Sequence, residues 1–340
     1  METKKLLSYR NIWMTIAIIG AVTFHMNPIG NNAAVHLFQK IGYGGVDIFL
    51  FASGIGCYYS YGRDHDPISF VKRRMLKILP MYFLALGIYF FRHESVTAVE
   101  KIANVLSYSF FGGFGHCFNW YIAMMWLTYI LVPYVFDFIN SGKKRVSRYA
   151  ILFIIALLMG ISFIGNDNML IAFSRMPIFI VGMCMGDYLS SHEKINGYAI
   201  LGMTLVSMVM MVMLVKLLDM YPDTAWSYGI YWFPYIVITP GLCFAISVVC
   251  MGISKVAALA KVLAVIGKVI GENTLAIYLA ENLGAYVSGL LGYEWDTIEH
   301  YNMSKIVIIP LAIIIAVFGH TFNYIYKKYT SSKVKENTNV

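Results

Sequence analysis

Apolar runs long enough to cross hydrocarbon recur along almost the whole chain, separated by short polar and charged clusters. The pattern predicts about ten helices of roughly 20 residues each, near 12–27, 44–61, 75–91, 119–139, 149–166, 170–189, 198–218, 229–251, 269–291 and 305–326. The stretch 103–114 is apolar and glycine-rich; it reads as an interfacial or re-entrant piece and leaves the count open by one. The expected fold is all-α, a polytopic membrane protein. Residues 1–329 are expected to form one membrane-embedded domain, and 330–340 a short polar tail, disordered and cytoplasmic.

Composition agrees with the pattern. Hydrophobic residues make up 59% of the 340 positions and charged ones 13%, about half the share of an ordinary soluble domain. A soluble fold of this length could not hide so much apolar surface, whereas lipid can face it. With the N-terminus placed inside, the cytoplasmic segments hold 20 of the 26 Lys and Arg residues and the outer segments 6. That split obeys the positive-inside rule and puts both termini in the cytoplasm. It also accounts for the net charge of +8, so no nucleic-acid partner is expected. Trp13, Trp120, Tyr121, Trp232 and Trp295 fall near predicted helix ends, where interfacial anchors sit. Five irregularly spaced cysteines, without a CxxC, suggest neither a disulfide framework nor a metal site. The basic residues Lys4, Lys5 and Arg10 precede the first apolar run, but no convincing cleavage site follows it, so a retained helix is expected rather than a signal peptide.

Ionisable groups within such helices need partners or water. His25 lies near the outer end of the first helix, where an imidazole can exchange a proton near neutral pH or simply make a structural hydrogen bond. Asp47 opens the second helix from the same side and could orient that imidazole, or could just complement the helix dipole. Lys72-Arg73-Arg74 and Lys77 mark the start of the third helix; they are either a topological signal or a phosphate clamp, since guanidinium forks match phosphate oxygens. Arg175 sits on the outer side against the charge trend, as an acceptor or acyl contact or as a snorkelling side chain. Glu281 lies deep in the ninth helix, one turn from Tyr278. His320, near Asn323, is a weaker case of the same kind.

Taken in order, these segments resemble the multi-helix membrane acyltransferases of acyltransferase family 3. The similarity rests on Phe24-His25; on Gly45-Val46-Asp47-Ile48-Phe49 with Ser53-Gly54; on Arg73-Arg74 with Leu79-Pro80; on Trp120-Tyr121; on Arg175, Pro177, Phe179 and Gly182; and on Gly271, Thr274, Ile277, Tyr278 and Leu279. It spans roughly residues 9 to 326. Where many members carry arginine inside the first helix this chain has Met14, with Arg10 nearest; where many have histidine after the late Tyr-Leu it has Glu281.

The resemblance implies an O-acyltransferase of the plasma membrane. It would move an acyl group, commonly acetyl, from cytoplasmic acetyl-CoA or another acyl-CoA to a hydroxyl of a carbohydrate or cell-surface glycan at the outer side, without a metal. It implies His25 as general base or transient acyl carrier with Asp47 orienting it, and Arg73, Arg74 and Lys77 on the coenzyme phosphates. Arg10, Ser53, Trp120, Arg175, Tyr278 and Glu281 become possible acyl or acceptor contacts. Two other readings of a ten-helix protein with intramembrane His and Glu are a proton-coupled transporter or flippase, and a sensor that kept the fold without the chemistry.

Overall fold

A computed structural model describes residues 1–26, 31–92, 96–112, 119–295 and 297–337. In chain order its helices are α1 (Thr3–Leu7), α2 (Arg10–Phe24), α3 (Ala33–Ile41), α4 (Gly45–Tyr61), α5 (Pro67–Arg92), α6 (Ala98–Val105), α7 (Tyr108–Gly112), α8 (Trp120–Asn140) and α9 (Arg145–Ser162). They continue with α10 (Asp167–Phe173), α11 (Met176–Ser191), α12 (Gly197–Met220), α13 (Tyr235–Ile253), α14 (Ala257–Ile266), α15 (Thr274–Leu290), α16 (Ile298–Ile306) and α17 (Ile308–Asn337). No strand occurs among the described residues. Nine of the helical stretches there are long and apolar enough to cross a membrane, and the broken pair Ala257–Gly271 with Thr274–Leu290 makes ten if counted as one span. The chain is therefore a polytopic, all-helical membrane protein. On α12, Leu201, Leu205, Val209 and Val212 all lie exposed, as a surface facing lipid requires.

Several boundaries differ from those the sequence predicts. The third helix begins at Pro67, whose fixed φ suits a first turn, so the basic run lies within the helix and not before it. The eighth begins only at Tyr235; residues 221–234 form turns, with Gly229 at φ +74°, a backbone conformation that stops a regular helix. The 103–114 region resolves into the short helices α6 and α7 around Ser107 at φ +56°. Its last two residues lie outside the described residues, as does Cys117.

The chain divides into two compact units, Met1–Pro67 with Thr128–Glu272, and Ile68–Leu127 with Asn273–Val340. In the first, α4 is the central helix and packs against α2 and α11. A methyl group on Gly45 would overlap the Ala17 carbonyl, so the α2 and α4 backbones touch there. Helices α4 and α11 run side by side in the same direction. Asp47 faces Arg175, Gly54 meets Phe179 and Gly182, and Tyr58 meets Gly186 and Asp187. Glycine on both helices permits this approach, the packing device of membrane helix pairs. The N-terminal segment is tied to the chain beyond α11 by Thr3 N donating to the Glu193 carbonyl (2.9 Å) and Ile195 N to the Met1 carbonyl (2.8 Å). Trp13 is fully buried and donates from Nε1 to Ser247 Oγ at 2.9 Å. It is an interior residue and not the interfacial anchor its sequence position suggested, its N–H satisfied by a buried hydroxyl instead of by water.

In the second unit α15 packs against α16 and α17. Tyr82 donates to the Asn104 carbonyl at 2.7 Å, and Tyr89 meets Tyr286 edge-on at 5.1 Å.

Candidate functional site

Asp47 lies in the first turn of α4 and is completely buried. Its carboxylate Oδ2 pairs with Arg175 Nε at 3.4 Å. Arg175 caps the start of α11 and is 2% exposed. Its Nη1 donates to the Ile171 carbonyl at 2.9 Å, and its guanidinium stands 5.6 Å over the Trp232 ring. Arg175 is thus an interior cation, not a snorkelling one. The carboxylate explains why: a guanidinium out of water needs a fixed anion and hydrogen-bond acceptors. Trp232 is likewise fully buried, where the sequence suggested an interfacial anchor.

Aromatic rings wrap this pair. Tyr43 packs against Tyr231 at 4.7 Å and Tyr235 at 5.3 Å, and the Tyr235 hydroxyl donates to the Ile41 carbonyl at 2.6 Å. Phe24 bridges outward: its ring lies 5.3 Å from Tyr43 and 5.2 Å from His25. His25 follows the last turn of α2 and is exposed. The histidine is therefore one phenyl ring away from the aromatic wall of the ion pair. Asp47, expected to orient the imidazole, has its ion pair with Arg175 instead, and its other oxygen, Oδ1, has no hydrogen-bond partner among the described residues. The same holds for the buried Tyr43 hydroxyl, Trp232 Nε1 and Ser174 Oγ. Arg10 opens α2 half-buried, and Ser53 is half-buried on α4 beside the Gly54 contact.

At the other end of the α4–α11 contact lies a cluster the sequence reading did not single out. Tyr58 donates to Asp187 Oδ1 at 2.6 Å, and Arg145 Nη1 reaches the same oxygen at 3.1 Å. The available signal was Asp187 itself, a carboxylate within an otherwise apolar helix.

The remaining predicted residues belong to the second unit. Arg73 and Lys77 are exposed and Arg74 is half-buried, all in the early turns of α5. Lys72 lies 5.9 Å over the Tyr326 ring, and the Arg74 guanidinium 5.4 Å over Phe70. Trp120 and Tyr121 open α8, and Tyr121 meets Tyr278 of α15 edge-on at 5.4 Å. Glu281, three residues after Tyr278, is half-buried. His320 Nε2 hydrogen-bonds Asn273 Oδ1 at 2.9 Å, whereas Asn323 donates to the Gly319 carbonyl. Among the described residues no three His, Cys, Asp or Glu side chains gather as a metal ion would require.

Helices of membrane length, a buried Asp–Arg pair and an exposed imidazole define a polytopic membrane protein with polar chemistry held in its interior. The family whose model carries the description acyltransferase domain matches residues 11–322. The chain belongs to that family, acyltransferase family 3, and is a membrane acyltransferase. No curated protein and no solved structure matches it.

Proposed function

We propose that this acyltransferase carries an acyl group, acetyl in the simplest case, from cytoplasmic acyl-CoA to a hydroxyl of a carbohydrate or cell-surface glycan at the outer face of the plasma membrane. The observation that favours this reading is the exposed His25 beside the aromatic wall of a buried Asp–Arg pair. His25 takes the proton of the acceptor hydroxyl as its oxygen attacks the thioester carbonyl, and the departing coenzyme A thiolate recovers a proton. In the variant route the imidazole itself accepts the acyl group first and passes it to the hydroxyl. Arg73, Arg74 and Lys77 hold the coenzyme phosphates. Asp47 has its charge balanced by Arg175 and offers its second oxygen to the acceptor. Arg10, Ser53, Trp120, Tyr278 and Glu281 are further candidates for acyl or acceptor contact.

Purified protein with radiolabelled acetyl-CoA tests the proposal. Wild type should cleave the thioester and acylate an offered sugar, and His25→Ala should lose transfer while remaining folded. Full turnover by His25→Ala refutes its role; a thioester left intact by wild type in the presence of acceptors points to a carrier or sensor instead.

A further inference from the structure

Of the buried polar atoms near the Asp47–Arg175 pair that are unpartnered among the described residues, three belong to Asp47 (Oδ1), Tyr43 (Oη) and Trp232 (Nε1), and a fourth is Ser174 Oγ. As whole residues the first three are respectively 0%, 4% and 0% exposed. Native interiors satisfy the large majority of buried side-chain polar atoms, and an orphan calls for an explanation such as a water or a ligand. Three in one neighbourhood are harder to dismiss than one. Tyr43 and Asp47 are one helical turn apart, hence on one face. Tyr43 interacts electrostatically with both Asp47 and Arg175, and Trp232 stacks beneath that arginine.

The orphans form a complementary set. The indole N–H only donates, the carboxylate oxygen only accepts, and the phenol does either. Together they match one group that both donates and accepts: a hydroxyl. A cation is disfavoured by Arg175 and an anion by Asp47, so the set suits a neutral ligand. Tyr231 and Trp226, which meet each other at 5.5 Å, extend the aromatic lining, and aromatic faces suit the apolar face of a polyol ring. Phe24 separates the set from His25 by one ring.

Resting on the acyl-transfer reading above, we infer that Asp47 Oδ1, Tyr43 Oη and Trp232 Nε1 form a subsite that grips one hydroxyl of the acceptor while a more distant hydroxyl, across the Phe24 ring, is acylated. The acceptor is then a neutral polyol whose gripped and acylated hydroxyls are well separated, and a lone alcohol is a poor one. Tyr43 and Trp232 are specificity residues here, not catalytic ones.

The test compares methyl hexopyranosides, their monodeoxy analogues and cyclohexanol as acceptors of labelled acetyl from acetyl-CoA. Wild type should prefer the best glycoside over one of its deoxy analogues, and over cyclohexanol, on the order of a hundredfold in kcat/KM, because a buried hydrogen-bonding site rejects a ligand lacking its partner. Tyr43→Phe keeps its ring and Trp232→Phe keeps a smaller aromatic one, and size-exclusion elution matching wild type checks that each variant folds. Each should raise the acceptor KM about tenfold, leave the acetyl-CoA KM within twofold, and erase the discrimination against that deoxy sugar. Equal use of cyclohexanol and glycoside, unaltered discrimination in both variants, or thioester cleavage without transfer to any glycoside overturns the inference, and the orphans then hold water only. A wild-type protein that leaves acetyl-CoA intact instead overturns the acyl-transfer reading itself.

Discussion

Removing the Arg175 guanidinium leaves a buried carboxylate without its ion-pair partner. Asp47 and Arg175 expose about 1% and 2% of their side chains. Breaking a pair so buried, by deleting one partner, costs about 3–5 kcal/mol, since the surviving charge keeps its desolvation penalty without its partner. At about 1.4 kcal/mol per decade, Arg175→Ala should shift the unfolding equilibrium by two to more than three decades. Replacing both residues, Asp47→Leu with Arg175→Met, removes the orphan charge and should restore much of the loss. Unfolding by detergent titration of micelle-solubilised protein, run on wild type, both single variants and the double variant, closes a double-mutant cycle. A coupling of about 2 kcal/mol or more is expected. Were Arg175→Ala to unfold within 1 kcal/mol of wild type, or were the double variant the least stable of the four, the pair would not be what fixes α4 to α11.

Arg145→Ala touches an ion pair whose arginine is about half exposed; stability should drop by no more than about 1 kcal/mol in the same titration, and a larger loss would mark this end as the true anchor. Gly54→Leu forces a side chain into the Phe179 carbonyl; a loss of about 1–3 kcal/mol or failure to fold is expected, and wild-type stability would contradict the close helix contact. Arg73→Ala combined with Arg74→Ala should raise the acyl-CoA KM far more than the acceptor KM in steady-state assays; unaltered donor affinity would remove the clamp.

The all-helical, polytopic character and the approximate number of spans were legible because apolar length dominates every other signal in lipid. Their ends were not always so. Ile230, Trp232 and Phe233 look like the start of a span, and only the positive φ of Gly229 shows that the chain turns there. His25, Asp47 and Arg175 could each be picked out as costly groups in an apolar setting, but not who meets whom. Sequence pairs Asp47 with His25 because both fall toward the outer side, whereas its ion pair is with an arginine on a helix whose place beside α4 depends on tertiary packing. Trp13 and Trp232 differ from expectation for a related reason: a tryptophan at a helix end serves an interface or plugs an interior, and only its burial in the folded bundle distinguishes them.

Asp47 and Arg175 are 128 residues apart in the chain. At ~5–20 residues per second of synthesis, the carboxylate emerges roughly 6 to 25 s before its guanidinium. An aspartate in hydrocarbon costs up to about 2.5–3.5 kcal/mol on insertion scales, the full figure applying at a helix centre. During that interval the nascent α4 must keep its acid protonated or stay beside a polar surface of the insertion machinery. Release into lipid is then tied to the arrival of α11, so this contact also sets an order of assembly.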